Sequence, residues 1–189
     1  MVRMIAPVVG LLAAGAAAVP TARDSTCSSL SQTDFKWSVS DLQYNSSVIF
    51  STPAHQIDNG VIQFNISNPA FPGKAASICT AYSTRPNDFF YGDQVFTCNA
   101  GIPEGGLTTT FTYNAPSKTL ALNQSWSCAG EQTSFTYEGS VDLSSKLKCQ
   151  NEEYTNPKWS IGETYTSNTT TCTAADFEWT PSSGSAVAK

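Results

Sequence analysis

The sequence predicts an all-β fold, a single antiparallel β-barrel or β-sandwich domain over residues 26–180 that is stabilised by disulfides. Three observations support this prediction. Apolar and polar side chains alternate with a period of two in several segments, which is typical of strands with one buried face. Turn-forming Gly, Pro and Asn residues separate those segments, and six cysteines follow an N-terminal leader. No segment after the leader shows the 3.6-residue period of a long amphipathic helix.

Residues 1–18 have the features of a secretory signal peptide. Arg3 precedes an apolar run from Ile5 to Val19, and three alanines end at Ala18, where we place the cleavage site. The run is too short for a transmembrane helix. We therefore expect the mature chain to be secreted and extracellular, in an oxidising compartment where cysteines pair.

The charge of the mature chain excludes some classes of partner. Nine basic and 15 acidic side chains remain once Arg3 is removed, so the net charge is −6 over 171 residues. No basic patch is present to meet nucleic acid or an anionic membrane, and we expect neither as a partner. Residues 181–189 are mostly small and polar, and they are predicted to be a disordered C-terminal tail.

Five segments are predicted to be strands, because each places its apolar side chains on one face. Gly139 interrupts the last of these segments and suggests a bulge there. Turn sequences such as Asp58-Asn59-Gly60 and Asn114-Ala115-Pro116 lie between them. The apolar sets are Phe35, Trp37 and Val39; Ile62, Phe64 and Ile66; Leu107, Phe111 and Tyr113; Leu120, Leu122 and Trp126; and Phe135, Tyr137, Val141 and Leu143.

Four asparagines lie in N-glycosylation sequons: Asn45, Asn65, Asn123 and Asn168. A glycosylated asparagine must face solvent. Asn65 and Asn123 fall on the polar faces of their predicted strands, so the sequons and the strand pattern agree.

The six cysteines allow 15 pairings, and no two cysteines are spaced as in a C-x-x-C motif. A redox-active dithiol and a zinc knuckle are therefore not supported, and we expect structural disulfides. Cys79 and Cys98 flank two predicted strands around the turn at Pro86-Asn87. A disulfide across that hairpin is the pairing that the residues favour, with a stabilisation of about 3 kcal/mol.

No catalytic residue, metal site or cofactor is predicted. His55 is the only histidine, and no serine lies in a G-x-S-x-G motif, so a loop histidine is the simpler interpretation. A glycoside hydrolase would need two carboxylates about 5–9.5 Å apart across a cleft. The candidates for that pair are Asp41, Asp93, Glu138 and Asp142. We expect all four to be ordinary solvated charges.

The segment from Asp88 to Asp93 holds three adjacent aromatic residues, Phe89, Phe90 and Tyr91. Neighbouring side chains of a strand point to opposite faces, so at least one of the three is expected to face outward or onto another loop. These residues are the candidate binding surface, because exposed aromatic side chains often anchor a partner. The alternative is that they pack over one end of the barrel.

Several short motifs together resemble a known family. They are Phe35-Lys36-Trp37-Ser38-Val39, Phe64-Asn65-Ile66, Cys79-Thr80-Ala81 and Phe96-Thr97-Cys98, followed by Thr110-Phe111-Thr112-Tyr113, Leu120-Ala121-Leu122 and the run from Tyr137 to Cys149. In this order they resemble the Alternaria alternata allergen 1 domain of small secreted fungal proteins. The resemblance covers about residues 27–172.

The resemblance implies a β-barrel with two internal disulfides and a dimer linked by an N-terminal cysteine. By position, the internal disulfides are Cys79–Cys98 and Cys149–Cys172, and Cys27 is the dimer-linking cysteine. Cys128 is an addition to the family pattern and could instead pair with Cys27 within one chain.

The resemblance also implies the class of function: contact with host defence proteins, elicitation of plant defence, or binding of a small phenolic ligand. The leading hypothesis is a secreted, non-enzymatic, allergen-like fungal protein that binds a host extracellular protein or a small phenolic ligand. The alternatives are a carbohydrate- or cell-wall-binding module that uses Phe89, Phe90 and Tyr91, and a glycoside hydrolase.

Overall fold

One short helix and eleven strands form the part of the chain that this computed structural model describes, residues 26–101, 106–130 and 132–188. The predicted signal peptide, residues 1–18, lies outside the described residues. In chain order the elements are α1 (Cys27–Gln32), β1 (Trp37–Thr52), β2 (His55–Ser67), β3 (Ser77–Ser83), β4 (Phe96–Thr97), β5 (Thr108–Asn114), β6 (Thr119–Ser127), β7 (Thr133–Asp142), β8 (Lys148–Thr155), β9 (Thr166–Thr173), β10 (Phe177–Trp179) and β11 (Ser183–Ala188).

The strands form two antiparallel sheets, which confirms the all-β prediction. The first sheet has the order β3-β2-β1-β9-β8, with β10 paired to the start of β1. The second sheet has the order β11-β7-β6-β5-β4. Of the two predicted architectures, the sandwich is the one found. The barrel that the family resemblance implies is not closed, because the outer strands of the two sheets do not form a continuous ladder among the described residues. Within the part of the chain that the structure describes, an isolated bridge between Ile78 and Asn99 links the edges at β3 and β4, and the arrangement is a sandwich.

The core lies between the sheets and contains the apolar faces that the alternation predicts. Trp37, Ile62, Phe111 and Leu120 are all essentially inaccessible to solvent. The rings of Phe64 and Phe111, from opposite sheets, meet edge to face at 5.0 Å between centroids. Burial of such side chains is the main stabilising contribution to a fold of this size.

Helix α1 is too short to produce a periodic pattern, and the sequence analysis did not predict it. Thr26 caps its N-terminus by accepting a hydrogen bond from the Ser29 backbone N–H. The buried Ser31 fixes the helix on the second sheet, because its hydroxyl accepts a hydrogen bond from Trp126 Nε1 at 3.0 Å. The Ser31 carbonyl accepts a second one from the Tyr137 hydroxyl at 2.6 Å.

Three disulfides connect these parts of the fold. Cys27 on α1 is bonded to Cys128, directly after β6. Cys149 and Cys172 are directly opposite each other on β8 and β9. Cys79 is bonded to Cys98, the pairing that the sequence favours. The two strands that it joins do not form a simple hairpin, however, because β3 and β4 belong to different sheets. This disulfide therefore ties the two sheets together.

The segment predicted to be a disordered tail contains a strand instead. Residues 183–188 form β11, which pairs with β7 from Ser183–Glu138 to Ala188–Thr133. Its small residues are compatible with this position, since Gly184 lies against the Tyr137 ring with no room for a Cβ atom. A period-two apolar pattern is missing because all six residues of β11 are exposed.

Gly139 does not mark a bulge, contrary to the prediction. The register between β6 and β7 runs without a shift from Thr119–Asp142 to Ser127–Ser134, and Gly139 is opposite Leu122. The missing side chain has another role, because a Cβ atom at Gly139 would lie 3.1–3.3 Å from Ser182, Pro181 and Trp179. Glycine therefore allows the chain after β10 to pass close to β7.

Candidate functional site

A polar cleft at one end of the sandwich, here called the end cleft, is the candidate functional site. It has a volume of about 390 Å³. Its walls come from the middle of β1, the loop before Phe90, the end of β5 with the turn that follows it, the segment that enters β8, and β9. The lining residues are Tyr44, Ser46, Val48, Asn87, Asp88, Phe89, Tyr113, Ala115, Lys118, Leu147, Cys149, Asn151, Asn168, Thr170 and Cys172.

Two buried tyrosines line the inner wall of the end cleft. Tyr113 is only 2% exposed as a residue, and it lines the end cleft. Burial, with a smaller contribution from Tyr44, raises the pKa of Tyr113 well above its ordinary value. The pKa of Tyr44 is also raised by burial, while a hydrogen bond with Ser46 opposes this rise and the charge of Asp88 adds to it. Both phenols therefore stay protonated at neutral pH and present O–H groups.

A β-bulge sets which β1 side chains face the end cleft. The register of β1 on β2 shifts between Ser40 and Gln43, and Asp41 has a φ of +54°. Beyond the bulge Leu42 and Tyr44 are buried while Gln43 is exposed. The alternation then continues along β1, so that Ser46 and Val48 line the end cleft with Tyr44.

Phe89 forms part of the cleft wall through an unusual backbone conformation. Its φ is +62°, a value that side-chain-bearing residues rarely adopt. This conformation lets Phe89 and Phe90 both point inward, and both are buried. Gly60 on β2 provides space for Phe89, since a Cβ atom there would lie 2.8 Å from the Phe89 Cβ.

The three aromatic residues therefore do not form one exposed surface: Phe89 lines the end cleft, and Phe90 is buried in the core. The Phe90 ring packs against Tyr44, Tyr113 and Phe96 in the core. Tyr91 is half-buried, and its hydroxyl donates a hydrogen bond to the Pro86 carbonyl at 2.6 Å. The prediction assumed strand geometry for this segment, and the left-handed residue removes the alternation on which it depended.

The four candidate carboxylates do not come together as a catalytic pair. Asp41 accepts a hydrogen bond from the Asn65 side chain, and Glu138 accepts one from Asn123 on the other sheet. The remaining two each have a separate partner: the Arg85 guanidinium holds the pKa of Asp93 below its usual value, and Ser144 does the same for Asp142. The general acid of a glycosidase needs a raised pKa. The pKa shifts of Asp93 and Asp142 are in the opposite direction.

His55 lies at the exposed turn between β1 and β2. Its Nδ1 atom is 2.8 Å from the Ser51 hydroxyl, and no carboxylate contacts the ring in the described part of the chain. Among the described residues, no group of three or more His, Cys, Asp or Glu side chains is placed to hold a metal ion. Within the same ranges, none of the helices has the length and apolar character needed to cross a membrane.

The sequon asparagines occupy different surfaces. Asn168 is exposed and lines the end cleft. Asn123, beside Glu138, lines a shallow concavity of about 480 Å³ on the outer face of the second sheet. Asn65 lies next to Asp41 on the outer face of the first sheet, and Asn45 is half-buried on β1. A glycan on Asn168 would extend over the end cleft.

The end cleft has no signature in the sequence. Its lining comes from segments that are far apart in the chain. Phe89 had been named as a candidate binding residue, whereas Asp88, Tyr113, Asn168 and the Cys149–Cys172 pair had been singled out for other reasons. Ser46 shares a face with Tyr44, but alternation counted from Trp37 places both on the opposite face, because the bulge between Ser40 and Gln43 reverses the alternation.

Comparison with known proteins identifies one family. A family model described as AltA1, Alternaria alternata allergen 1, matches residues 33–172. The matched region extends from just before β1 to β9, and therefore includes every residue that lines the end cleft. No curated protein and no solved structure matches the chain.

Proposed function

This chain belongs to the Alternaria alternata allergen 1 family, and from that premise we propose that it is a secreted, non-enzymatic fungal protein that acts by binding. In this proposal it is a host-interacting effector or an elicitor of plant defence, and a potential allergen. The signal peptide predicted at residues 1–18 and the three disulfides support an extracellular location.

The Tyr113 hydroxyl is the observation that carries the binding proposal. A tyrosine hydroxyl both donates and accepts hydrogen bonds, so one in the wall of a cleft can bind a polar group of a ligand. Tyr113 lines a concave site on a sandwich that disulfides hold rigid, and a preformed site of this kind loses little entropy when it binds. The end cleft is therefore where we place the host-derived ligand.

Filling the end cleft tests this function. Asn151 and Gln150 are adjacent and exposed on β8, but Asn151 lines the cleft while Gln150 does not. Neighbouring residues of a strand face opposite sides. Asn151→Trp should therefore obstruct the cleft, and Gln150→Trp is a matched control that adds the same side chain to the other face.

The readout is the reactive-oxygen burst after infiltration of purified protein into leaves of a host plant. We expect the unmodified protein and Gln150→Trp to give equal responses, and Asn151→Trp to lose most of the response at an unchanged melting temperature. Equal responses from all three proteins, or no response from any, would contradict the proposal.

A further inference from the structure

We propose that the end cleft binds a neutral saccharide of one or two sugar rings. The inference rests on the proposed function, because it names the ligand class of the same site. It is carried by the charges, the hydroxyl groups and the apolar surface that line the cleft.

The charges of the lining favour a neutral ligand. Asp88 and Lys118 are the charged residues among those that line the end cleft, and their charges are opposite. A phosphate, a sulfate or an acidic sugar would gain from Lys118 but would be repelled by Asp88. A cation would find a single carboxylate, which is too few ligands for a metal ion such as Ca²⁺.

The hydroxyl groups of the lining match those of a sugar. Tyr44, Ser46, Tyr113 and Thr170 each have a hydroxyl that both donates and accepts hydrogen bonds. A sugar hydroxyl has the same double capacity, so it can form a hydrogen bond with the Tyr113 hydroxyl whichever way the phenol O–H points. The side-chain amides of Asn87 and Asn151, at the rim, supply further donors and acceptors.

The apolar part of the lining suits the C–H face of a pyranose ring. Val48, Phe89, Ala115 and Leu147 contribute this surface, interspersed with the polar groups. A sugar carries C–H groups on its faces and hydroxyls at its edge, and therefore needs both kinds of surface. The volume of about 390 Å³ is near the lower end of the range of about 300–1,000 Å³ for small-molecule sites.

The test is an NMR titration of the secreted, enzymatically deglycosylated protein. Deglycosylation is needed because a glycan on Asn168 would compete for the end cleft. The probes are cellobiose, maltose, α-1,2-mannobiose and N,N′-diacetylchitobiose, with glucuronic acid and p-coumaric acid as comparison ligands. The expected result is saturable binding of at least one neutral disaccharide, with shifts confined to the residues that line the cleft.

Two variants locate the binding. Tyr113→Phe keeps the buried ring and removes the hydroxyl, and we expect the dissociation constant to rise about fivefold. Tyr82→Phe makes the same change at a site on β3 that is 69% exposed, and it should bind like the unmodified protein. Equal binding by both variants would overturn the saccharide site.

The outcomes also separate this inference from the proposed function. Binding of p-coumaric acid that depends on Tyr113, without binding of any disaccharide, would overturn the ligand class and leave the binding function in place. If no probe binds and Asn151→Trp elicits as strongly as the unmodified protein, both proposals are wrong. Tighter binding of glucuronic acid than of the neutral sugars would overturn the argument from charge.

Discussion

Trp37 and Gln124 are hydrogen-bonded to each other in the middle of the core, across the two sheets. The indole Nε1 of Trp37 on β1 donates to Gln124 Oε1 on β6 at 2.8 Å. The same oxygen accepts from Asn68 Nδ2 at 2.9 Å, and Gln124 Nε2 donates to the Thr109 hydroxyl at 2.9 Å. A completely buried amide is tolerated here because these three bonds engage both its oxygen and its nitrogen.

We expect Gln124→Leu to lower the free energy of unfolding by about 3 kcal/mol. Leucine is similar in size, but it leaves the Trp37 and Asn68 donors without their acceptor, and each buried unsatisfied group costs about 1–3 kcal/mol. Urea denaturation followed by tryptophan fluorescence measures the change. Gln63→Leu, on the exposed face of β2, is the control and should change stability by less than about 0.5 kcal/mol. Similar losses in the two variants would contradict this account.

The Cys27–Cys128 disulfide predicts the covalent state of the protein. The unmodified protein should run as a monomer under non-reducing conditions, because both sulfurs are bonded within one chain. Cys128→Ser releases Cys27, which is partly exposed on α1, and we expect a covalent dimer that reducing agent dissociates. Intact mass under non-reducing conditions measures both states. A disulfide-linked dimer of the unmodified protein would show that Cys27 does not pair as the structure has it.

Removal of residues 183–189 should destabilise the fold, although all residues of β11 are exposed. The deletion unpairs the outer edge of β7 and uncovers the Tyr137 ring beside Gly184. We expect a loss of about 1–2 kcal/mol, from a few ladder hydrogen bonds of about 0.5–1.5 kcal/mol each. Hydrogen exchange should become faster in β7 and remain unchanged in β2. Identical exchange in the full-length and shortened chains would restore the disordered-tail interpretation.

Alkaline pH should destabilise the protein through its buried tyrosines. The folded state holds the proton of Tyr113 to a higher pH than the unfolded chain, whose tyrosines lose theirs near pH 10. The unfolded state therefore binds fewer protons above about pH 10, and the free energy of unfolding falls as the pH rises further.

Tyr113→Phe removes one such group, so its stability should decline less steeply between pH 9 and 11 than that of the unmodified protein. Short urea titrations at each pH measure the slopes. Parallel slopes would show that Tyr113 does not contribute.

The strands were predictable because apolar and polar side chains alternate along a strand that has one buried face. Trp37, Phe64, Phe111 and Leu122 face the core as the period of two requires. The choice between a barrel and a sandwich was not predictable, since alternation shows which face of a strand is buried and not which strands lie at the edges. Strand β11 was missed for a related reason, because both of its faces are exposed and no pattern forms.

The candidate site depended on information that the sequence does not display locally. The inward position of Phe89 requires a positive φ, which here occurs at a non-glycine residue. The end cleft joins β1, β5 and β9: β1 and β9 are neighbours in one sheet, and β5 comes near them because the other sheet packs against that one. The Cys79–Cys98 pair could be proposed from spacing, whereas its role in joining two sheets required the topology.

The bond between Cys27 and Cys128 also determines valency. A chain that closes this bond internally presents each of its surfaces once, whereas a pair tethered through Cys27 would present each surface twice. A single copy gains no avidity from a target that repeats its ligand, such as a polymer or a crowded cell surface. Half-saturation on such a target should therefore occur at the concentration measured with the isolated ligand, at every ligand density.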